Sequence, residues 1–260
     1  MPCALCLLTK PLMSSHVVPE FLYREMYDLK HRFLALSTLA SDRPRHYQKG
    51  LREDLLCADC EQLLGRFESY ASQVFYGKGA PKTQRQDRML IIEGLDYSRM
   101  KLFLLSLLWR FGVTKLAVFK GARLGSHAEK LRRMLLAEHP GDPLAYPCLL
   151  TAVTWKTKHI GDFIAPPCLA KMDGHHIWSF VVAGIIFTFF VSSHVPIEVP
   201  PPAFLQENGT LIIMRKEITE IDFLHRFASE VADAQRKEIT SRSSCRMKVA
   251  LSVRPIAPLG

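Results

Sequence analysis

The sequence lacks the features that mark a secreted, disordered or fibrous chain. Its first six residues contain neither the basic stretch nor the long apolar stretch of a secretory signal. No glycine-rich phosphate-binding loop occurs in a strand-to-helix setting. Apolar residues make up 48% and charged residues 23% of the 260 positions, which is the composition of a folded protein with one or two domains. Disorder and fibrous repeats are therefore excluded.

One stretch without charge, residues 177–193, is the only part that suggests a membrane. It has 17 residues, whereas a spanning helix needs about 20. It is rich in valine, isoleucine, phenylalanine and threonine, and Ala183-Gly184 lies at its centre. This composition favours two buried strands. A membrane-associated protein is the alternative that this stretch leaves open.

The pattern of apolar residues predicts an α+β protein with an N-terminal unit at residues 1–77 and a mixed α+β domain with an antiparallel sheet at 89–240. Residues 77–88 are polar with glycine and proline, as in a linker. Residues 241–260 form a Ser-, Arg- and Pro-containing tail that we expect to be loosely held.

Helices and strands of the larger domain follow from periodicity and capping signals. Asp96 is expected to cap a buried helix at residues 97–111, and Ser126 with Glu129 to form a capping box for a helix at 126–137. A closing helix is expected at 223–236, and the expected strands cover residues 148–155, 178–183, 185–191 and 211–215.

The net charge of +9 and the pI near 9.3 favour a polyanionic partner such as DNA. Between residues 78 and 139 there are 13 basic and 5 acidic residues, so this quarter carries +8 of the total. Such clustering would suit a face that follows phosphates. The alternative is an ordinary surface over which the basic residues are scattered.

Seven cysteines are an odd number, and the first four form two Cys-x-x-Cys pairs, Cys3 with Cys6 and Cys57 with Cys60. This spacing directs two thiolates at one ion, and two pairs complete the four-sulfur shell of structural zinc. Metal thiolates suit a reducing compartment, so we expect a cytoplasmic protein. Reduced, unrelated cysteines are the alternative, and that is how we interpret the other three, Cys148, Cys168 and Cys245.

A helical pattern begins directly after Cys60. Zinc would therefore clamp the start of a helix to the N-terminal cysteine pair. The order of cysteine pair, hairpin, excursion and helix with the last ligands is that of a treble clef.

Three short segments give this region a family resemblance: "CALC", "SHVVP" and "LLCADCE", within residues 3–68. They resemble the zinc-stabilised HNH, or ββα-metal, endonucleases. The resemblance implies that His16 is the general base that activates water to hydrolyse a phosphodiester of DNA, beside one divalent cation such as Mg²⁺ or Mn²⁺. An imidazole with a pKa near 6.5 suits that role.

The chain departs from the family pattern at three places. Ser15 precedes His16 where the family has a metal-binding Asp or His, and residues 52–54 offer no counterpart of the middle Asn. On the closing helix, carboxylates replace the last His or Asn: Glu61 and Glu68 lie seven positions apart and so share one face. Glu68 is the tentative ligand of the catalytic cation, and a surface carboxylate is the alternative.

Two interpretations of function therefore remain open. In one the chain is an HNH-like endonuclease with His16 as its base. In the other, His16 only makes hydrogen bonds, and the N-terminal unit is a noncatalytic zinc module that binds nucleic acid or a protein partner. A protein partner would also suit the larger domain.

Overall fold

The computed structural model describes residues 1–35, 45–77, 81–119, 121–172, 175–192 and 199–241. These residues form an α+β fold, as the sequence predicts. The helices are α1 (Ala58–Tyr76), α2 (Tyr97–Val113), α3 (His127–Leu136) and α4 (Asp222–Ser241). The strands are β1 (Leu12–His16), β2 (Phe33–Ala35), β3 (Arg45–Tyr47), β4 (Arg52–Cys57), β5 (Thr83–Gln86), β6 (Met89–Ile92), β7 (Cys148–Trp155), β8 (Lys158–His159), β9 (Ile164–Met172), β10 (His175–Val182), β11 (Ile185–Val191) and β12 (Leu211–Glu217).

The N-terminal unit is built on one antiparallel strand pair and the helix that follows it. β1 pairs with β4, so that Leu12 lies opposite Cys57 and His16 opposite Arg52. β4 runs directly into α1, with Cys57 as the helix N-cap. The chain between β1 and β4 contains the short antiparallel pair of β2 and β3. This register fixes where His16 stands relative to the cysteines.

Within the described ranges, eight strands form one mixed sheet in the order β5-β6-β12-β7-β11-β10-β9, with β8 paired to β7. The pair of β12 and β7 is parallel, and the other pairs are antiparallel. The expected antiparallel sheet is therefore present, with one parallel pair that local sequence patterns do not predict.

The apolar stretch at residues 177–192 forms the hairpin of β10 and β11, as predicted from its composition, and residue 193 lies outside the described residues. Ala183 and Gly184 make the turn, both at positive φ (52° and 64°). A Cβ on Gly184 would lie 1.7 Å from the Ile160 carbonyl oxygen, so the turn requires glycine there. None of the helices in the described part of the chain is long and apolar enough to cross a membrane.

Helix α2 is the centre of the hydrophobic core. It begins at Tyr97, and the carboxylate of Asp96 accepts a hydrogen bond from the Arg99 amide (3.0 Å), which confirms the predicted cap. Residues 100–111 are all buried. α2 packs against α1, α3 and the sheet, and one continuous apolar cluster extends from Cys3 to Ile213. The N-terminal unit and the larger α+β region thus share a core in this structure.

Two local expectations differ from the structure. The Ser126 side chain caps no amide, because its backbone is already helical (φ −64°, ψ −19°), and Glu129 pairs instead with Arg132 and Arg133. Within the expected linker, Thr83–Gln86 forms β5, since an edge strand needs only backbone pairing and its side chains can all be exposed.

The last described helix is longer than expected. α4 begins one residue before the expected start at 223 and extends to Ser241 instead of 236. Apart from Ser241, the predicted loose tail at residues 241–260 lies outside the described residues.

Lys101 is a charged residue inside the α2 core. Its side chain is 2% exposed, and Nζ donates to the carbonyl oxygens of Pro143 (3.1 Å) and Tyr146 (3.4 Å). Burial lowers the pKa of Lys101 to about 8, and the nearby Cys148 and Asp142 offset only part of that effect. The folded state therefore disfavours the protonated amine that the unfolded chain retains up to a pH of about 10.4.

We expect the contribution of Lys101 to the free energy of unfolding to rise between pH 8 and about 10.4, because the unfolded chain binds the Lys101 proton more tightly in that window. At about 1.4 kcal/mol for each pKa unit, the rise should approach about 3 kcal/mol. Lys101→Met should abolish this rise, whereas the exposed Lys115→Met should preserve it. Chemical denaturation on both sides of the window measures the difference, and a parallel pH dependence of wild type and Lys101→Met would contradict the assignment.

Candidate metal centre and the His16 site

Four cysteine side chains converge where the N-terminal turn meets the start of α1. Cys3 and Cys6 lie in the turn, Cys57 ends β4, and Cys60 lies in the first turn of α1. Their sulfur atoms all lie within 4.8 Å of one another, and the Sγ atoms of Cys6 and Cys57 are 3.8 Å apart. A tetrahedral zinc ion with Zn–S bonds of about 2.3 Å places its sulfur ligands about 3.8 Å apart. The four cysteines can therefore bind a metal ion such as zinc.

Backbone hydrogen bonds hold the first cysteine pair against β4. The amide of Ala4 donates to the carbonyl oxygen of Leu55 (3.0 Å), and the amide of Cys57 donates to Sγ of Cys3 (3.3 Å). The amide of Leu7 donates to the Cys3 carbonyl oxygen (2.9 Å), closing a turn in which Leu7 has a φ of 64°. The contacts of Ala4 with Leu55 and of Cys57 with Cys3 join two segments that are more than fifty positions apart in the chain.

The surroundings favour the thiolate of Cys3. Burial raises its pKa, but hydrogen bonds from the backbone amides of Cys6, Cys57 and Leu5 together outweigh burial and bring the pKa to about 7. Burial raises the pKa of Cys60, and the other thiols of the cluster raise it further. Thiolates repel one another, which is why the neighbouring thiols raise the pKa of Cys60. A bound metal ion would offset this repulsion, because its positive charge favours the deprotonated thiols that coordinate it.

Two cationic side chains lie next to the cysteine cluster. Arg132 of α3 donates from Nη1 to the carbonyl oxygen of Leu5 (2.8 Å), and its charge interacts with Cys6. Lys10 pairs with Asp59 (2.6 Å) and also interacts with the thiol charges. Four thiolates around Zn²⁺ carry a net charge of about −2, so neighbouring cations stabilise the loaded centre.

In the part of the chain that the structure describes, no other group of three or more His, Cys, Asp and Glu side chains is close enough to share one metal ion. Cys148 is buried in β7, and Cys168 lies in β9. Cys245 lies outside the described residues.

His16 ends β1, and its side chain is only 18% exposed. Arg52, opposite in the register, donates from Nε to Nε2 of the imidazole (2.9 Å), and its Nη2 lies 3.3 Å from Nδ1. Gly50 also approaches the ring, because a Cβ there would lie 3.1 Å from Cδ2 of His16. Burial and the charge of Arg52 lower the pKa of His16, so the imidazole is neutral at pH 7.

Glu20 is the carboxylate nearest to His16. Its Oε2 lies 2.5 Å from Nε2 of His16, and its Oε1 accepts a hydrogen bond from the Tyr27 hydroxyl (2.8 Å). His31 lies 3.6 Å from Oε1 and stacks on Tyr27. The charges of Glu20, Glu68 and, more weakly, Glu61 raise the pKa of His16 against the effects of burial and Arg52.

The buried side chain of Arg110 links His16 to both long helices of the core. It donates from Nη1 to the backbone carbonyl oxygen of His16 (2.9 Å) and from Nη2 to the carboxylate of Glu68. Arg110 is 2% exposed, so Glu68 on α1 neutralises a buried positive charge of α2. A cation at Glu68 would have to share this carboxylate with Arg110, and Glu68 as a cation ligand stays a prediction.

The side chain of Ser15 is buried and hydrogen-bonded to the backbone, so it is not available as a metal ligand. It is 1% exposed, and its hydroxyl accepts a hydrogen bond from the Leu56 amide (3.0 Å) and donates to the Met13 carbonyl oxygen (3.2 Å). These bonds span the irregularity between Met13 and Ser14 in the β1–β4 pair. Serine here satisfies backbone groups of a bulge.

Glu53, one of the residues in place of the middle Asn, binds the end of α2. Its Oε2 accepts hydrogen bonds from the Thr114 hydroxyl (2.6 Å) and the Lys115 amide (3.0 Å). Glu53 therefore fastens β4 to α2 and does not contact His16.

The basic residues between 78 and 139 have several separate environments. Lys101 and Arg110 are buried, and five others are ion-paired with carboxylates: Lys82, Arg88, Arg99, Arg132 and Arg133. Of the described carboxylates that pair with basic residues of this segment, only Glu68 and Glu220 lie outside it, so these ion pairs offset a small part of its excess charge. Lys78 and Lys120 lie outside the described residues.

Sequence reasoning identified His16 but missed Glu20, Tyr27 and the contact with Arg52. Glu20 follows His16 by four positions across Pro19, and this short separation is the one signal in the sequence that could have identified it. Arg52 required the strand register, and Arg110 required the packing of α1 on α2. Neither the contact of Arg52 nor that of Arg110 with His16 can be predicted from spacing along the chain.

Comparisons of this chain with protein-family models, with curated proteins and with solved structures find no match. Its function must therefore be inferred from the four cysteines and from the side chains around His16.

Proposed function

We propose that residues 1–77 form a zinc-bound treble clef of the HNH type and that the chain is a metal-dependent endonuclease acting on DNA, with His16 as general base. The proposal is supported by the order of the elements: a cysteine pair, β1 ending at His16, an excursion, β4, and α1 with the second pair at its start. The single observation that carries it is the position of His16. A neutral, largely enclosed imidazole lies on the strand that pairs with Cys57-bearing β4.

In the proposed reaction, the neutral imidazole of His16 accepts a proton from a water molecule. The water oxygen forms a bond to phosphorus as the bond from phosphorus to the leaving alkoxide breaks, and the alkoxide takes a proton from solvent. The imidazolium that results is stabilised by Glu20, whose Oε2 lies 2.5 Å from Nε2. Arg110 fixes the backbone of His16, so the base stays in place during the cycle.

One carboxylate oxygen near His16 is available to a divalent cation. Oε1 of Glu61 is buried and has no hydrogen-bond partner in the described structure. Unpartnered carboxylate oxygens are the ligands that Mg²⁺ and Mn²⁺ prefer. Either Glu61 or Glu68, the latter shared with Arg110, would hold the ion, which would stabilise negative charge on the phosphoryl oxygens.

The second candidate function is a noncatalytic zinc module that binds nucleic acid or a protein partner. It is favoured by three contacts that occupy the groups expected to act: Arg52 donates to His16, Arg110 to Glu68, and Ser15 binds the backbone. In this interpretation His16 is a structural hydrogen-bond acceptor.

Cleavage of supercoiled plasmid DNA distinguishes the two functions. Zinc-loaded protein should nick or cut the plasmid when Mg²⁺ or Mn²⁺ is added, and EDTA added briefly should stop the reaction while the zinc is retained. Binding of DNA that weakens with salt, without cleavage under either metal, would support the noncatalytic module instead.

A further inference from the structure

The side chain of Arg52 contacts the imidazole of His16 and has no acidic partner among the described residues. It is exposed, and it lies over both ring nitrogens of His16. By contrast, Arg32, Arg66 and Arg88 each pair with an acidic side chain. An exposed guanidinium whose one hydrogen-bond partner among the described side chains is an imidazole keeps most of its donors available for an anion.

We propose that Arg52 binds the phosphate of the scissile phosphodiester, and that it uncovers His16 when it does so. This inference rests on the proposed nuclease function. Arg52 lies opposite His16 in the β1–β4 register, so the Cβ atoms of the two residues are about 5 Å apart on the same face. A phosphate held by this guanidinium is therefore next to the base that must activate the water.

The contact seen in the structure explains how the base is uncovered. Glu20 Oε2 lies 2.5 Å from Nε2 of His16, so the lone pair that would take the proton from water is that of Nδ1, and Nη2 of Arg52 lies 3.3 Å from this atom. A phosphate oxygen carries negative charge and is a stronger acceptor for a guanidinium than a neutral imidazole is. When phosphate binds, Arg52 exchanges one acceptor for the other, no proton moves, and the lone pair of His16 becomes available.

The charges around the site are compatible with an anion at Arg52. Glu68 is neutralised by Arg110, and Glu20 is engaged by Tyr27 and His16. The guanidinium of Arg52 is the exposed positive charge among the side chains that contact the imidazole. An anion approaching His16 from solvent therefore meets a cation first.

Binding of a short DNA duplex, measured without divalent cation over a range of salt concentrations, tests the phosphate contact. Arg52→Gln should reduce the steepness of the dependence of log K on log salt by about 0.9, the value for one lost phosphate contact. Arg52→Lys should restore the slope. Arg85→Gln is the matched control, because Arg85 is also an exposed strand residue without a carboxylate partner among the described side chains, and its variant should keep the wild-type slope.

Single-turnover cleavage gives the second readout. Arg52→Gln should lower the rate about 10–100-fold, and Arg52→Lys should recover only part of it, because an ammonium cannot replace the planar bidentate donor. An unchanged slope and rate in Arg52→Gln, or equal losses in Arg52→Gln and Arg85→Gln, would overturn the inference. Wild-type protein that binds DNA without cutting it would remove the nuclease function, and the salt slope would still decide whether Arg52 contacts phosphate. Zinc content and thermal unfolding confirm that each variant is folded.

Discussion

The double substitution Cys57→Ser with Cys60→Ser should abolish zinc binding and unfold at least the N-terminal unit. Structural zinc contributes about 10–16 kcal/mol in small zinc peptides, which is comparable to the whole stability of a typical domain, about 5–15 kcal/mol. Cys57 and Cys60 belong to the same apolar cluster as α2, so we expect the loss to lower the thermal stability of the larger region too. Elemental analysis and thermal unfolding, with and without a strong chelator, measure both effects.

Cys168→Ser is the matched control for the zinc experiment. Cys168 lies in β9 and belongs to no cluster of metal ligands among the described residues. Its substitution should leave one zinc per chain and the wild-type melting temperature. Undiminished zinc content in the Cys57→Ser, Cys60→Ser protein would refute a four-cysteine centre.

His16→Ala should lower the rate of DNA cleavage about 10²–10⁴-fold, the usual cost of removing a general base. The side chain is partly exposed and lies at the end of β1, so zinc content and fold should be preserved. Single-turnover cleavage of end-labelled DNA, with Mg²⁺ or Mn²⁺ in excess, measures the rate of the chemical step.

His139→Ala is the control for this substitution, because His139 is an exposed histidine just beyond α3. Its cleavage rate should equal that of wild type. Cleavage retained by His16→Ala would exclude His16 as the base, and cleavage lost equally in both variants would show that the assay follows stability and not chemistry.

Local patterns in the sequence predicted the four helices and, among the strands, β7, β10, β11 and β12. The strands at 148–155 and 185–191 are found with the expected bounds, and every residue of the second is β-branched or aromatic, a composition that favours a strand. The helix at 97–111 was predicted from its apolar surface and its Asp96 cap, and only its end is two residues further on. The two Cys-x-x-Cys pairs predicted that four sulfur atoms would converge, because that spacing directs both thiolates to one point.

What the sequence does not predict is long-range pairing. Arg110 and Glu68 are 42 positions apart, and nothing local in either segment indicates that one neutralises the other. The parallel pair of β12 and β7 joins residues more than sixty positions apart for the same reason. The charges that surround His16 therefore emerged only from the packing of α1, α2 and β4.

Zinc K-edge X-ray absorption on the purified protein tests most directly whether one four-cysteine zinc centre joins the N-terminal turn, β4 and α1, on which the position of His16 depends. The four converging sulfur atoms predict a shell of four sulfur ligands at about 2.3 Å with no nitrogen or oxygen. Stoichiometric zinc with this shell would support the centre. A shell with two or fewer sulfur ligands, or protein that folds stably without any metal, would contradict it.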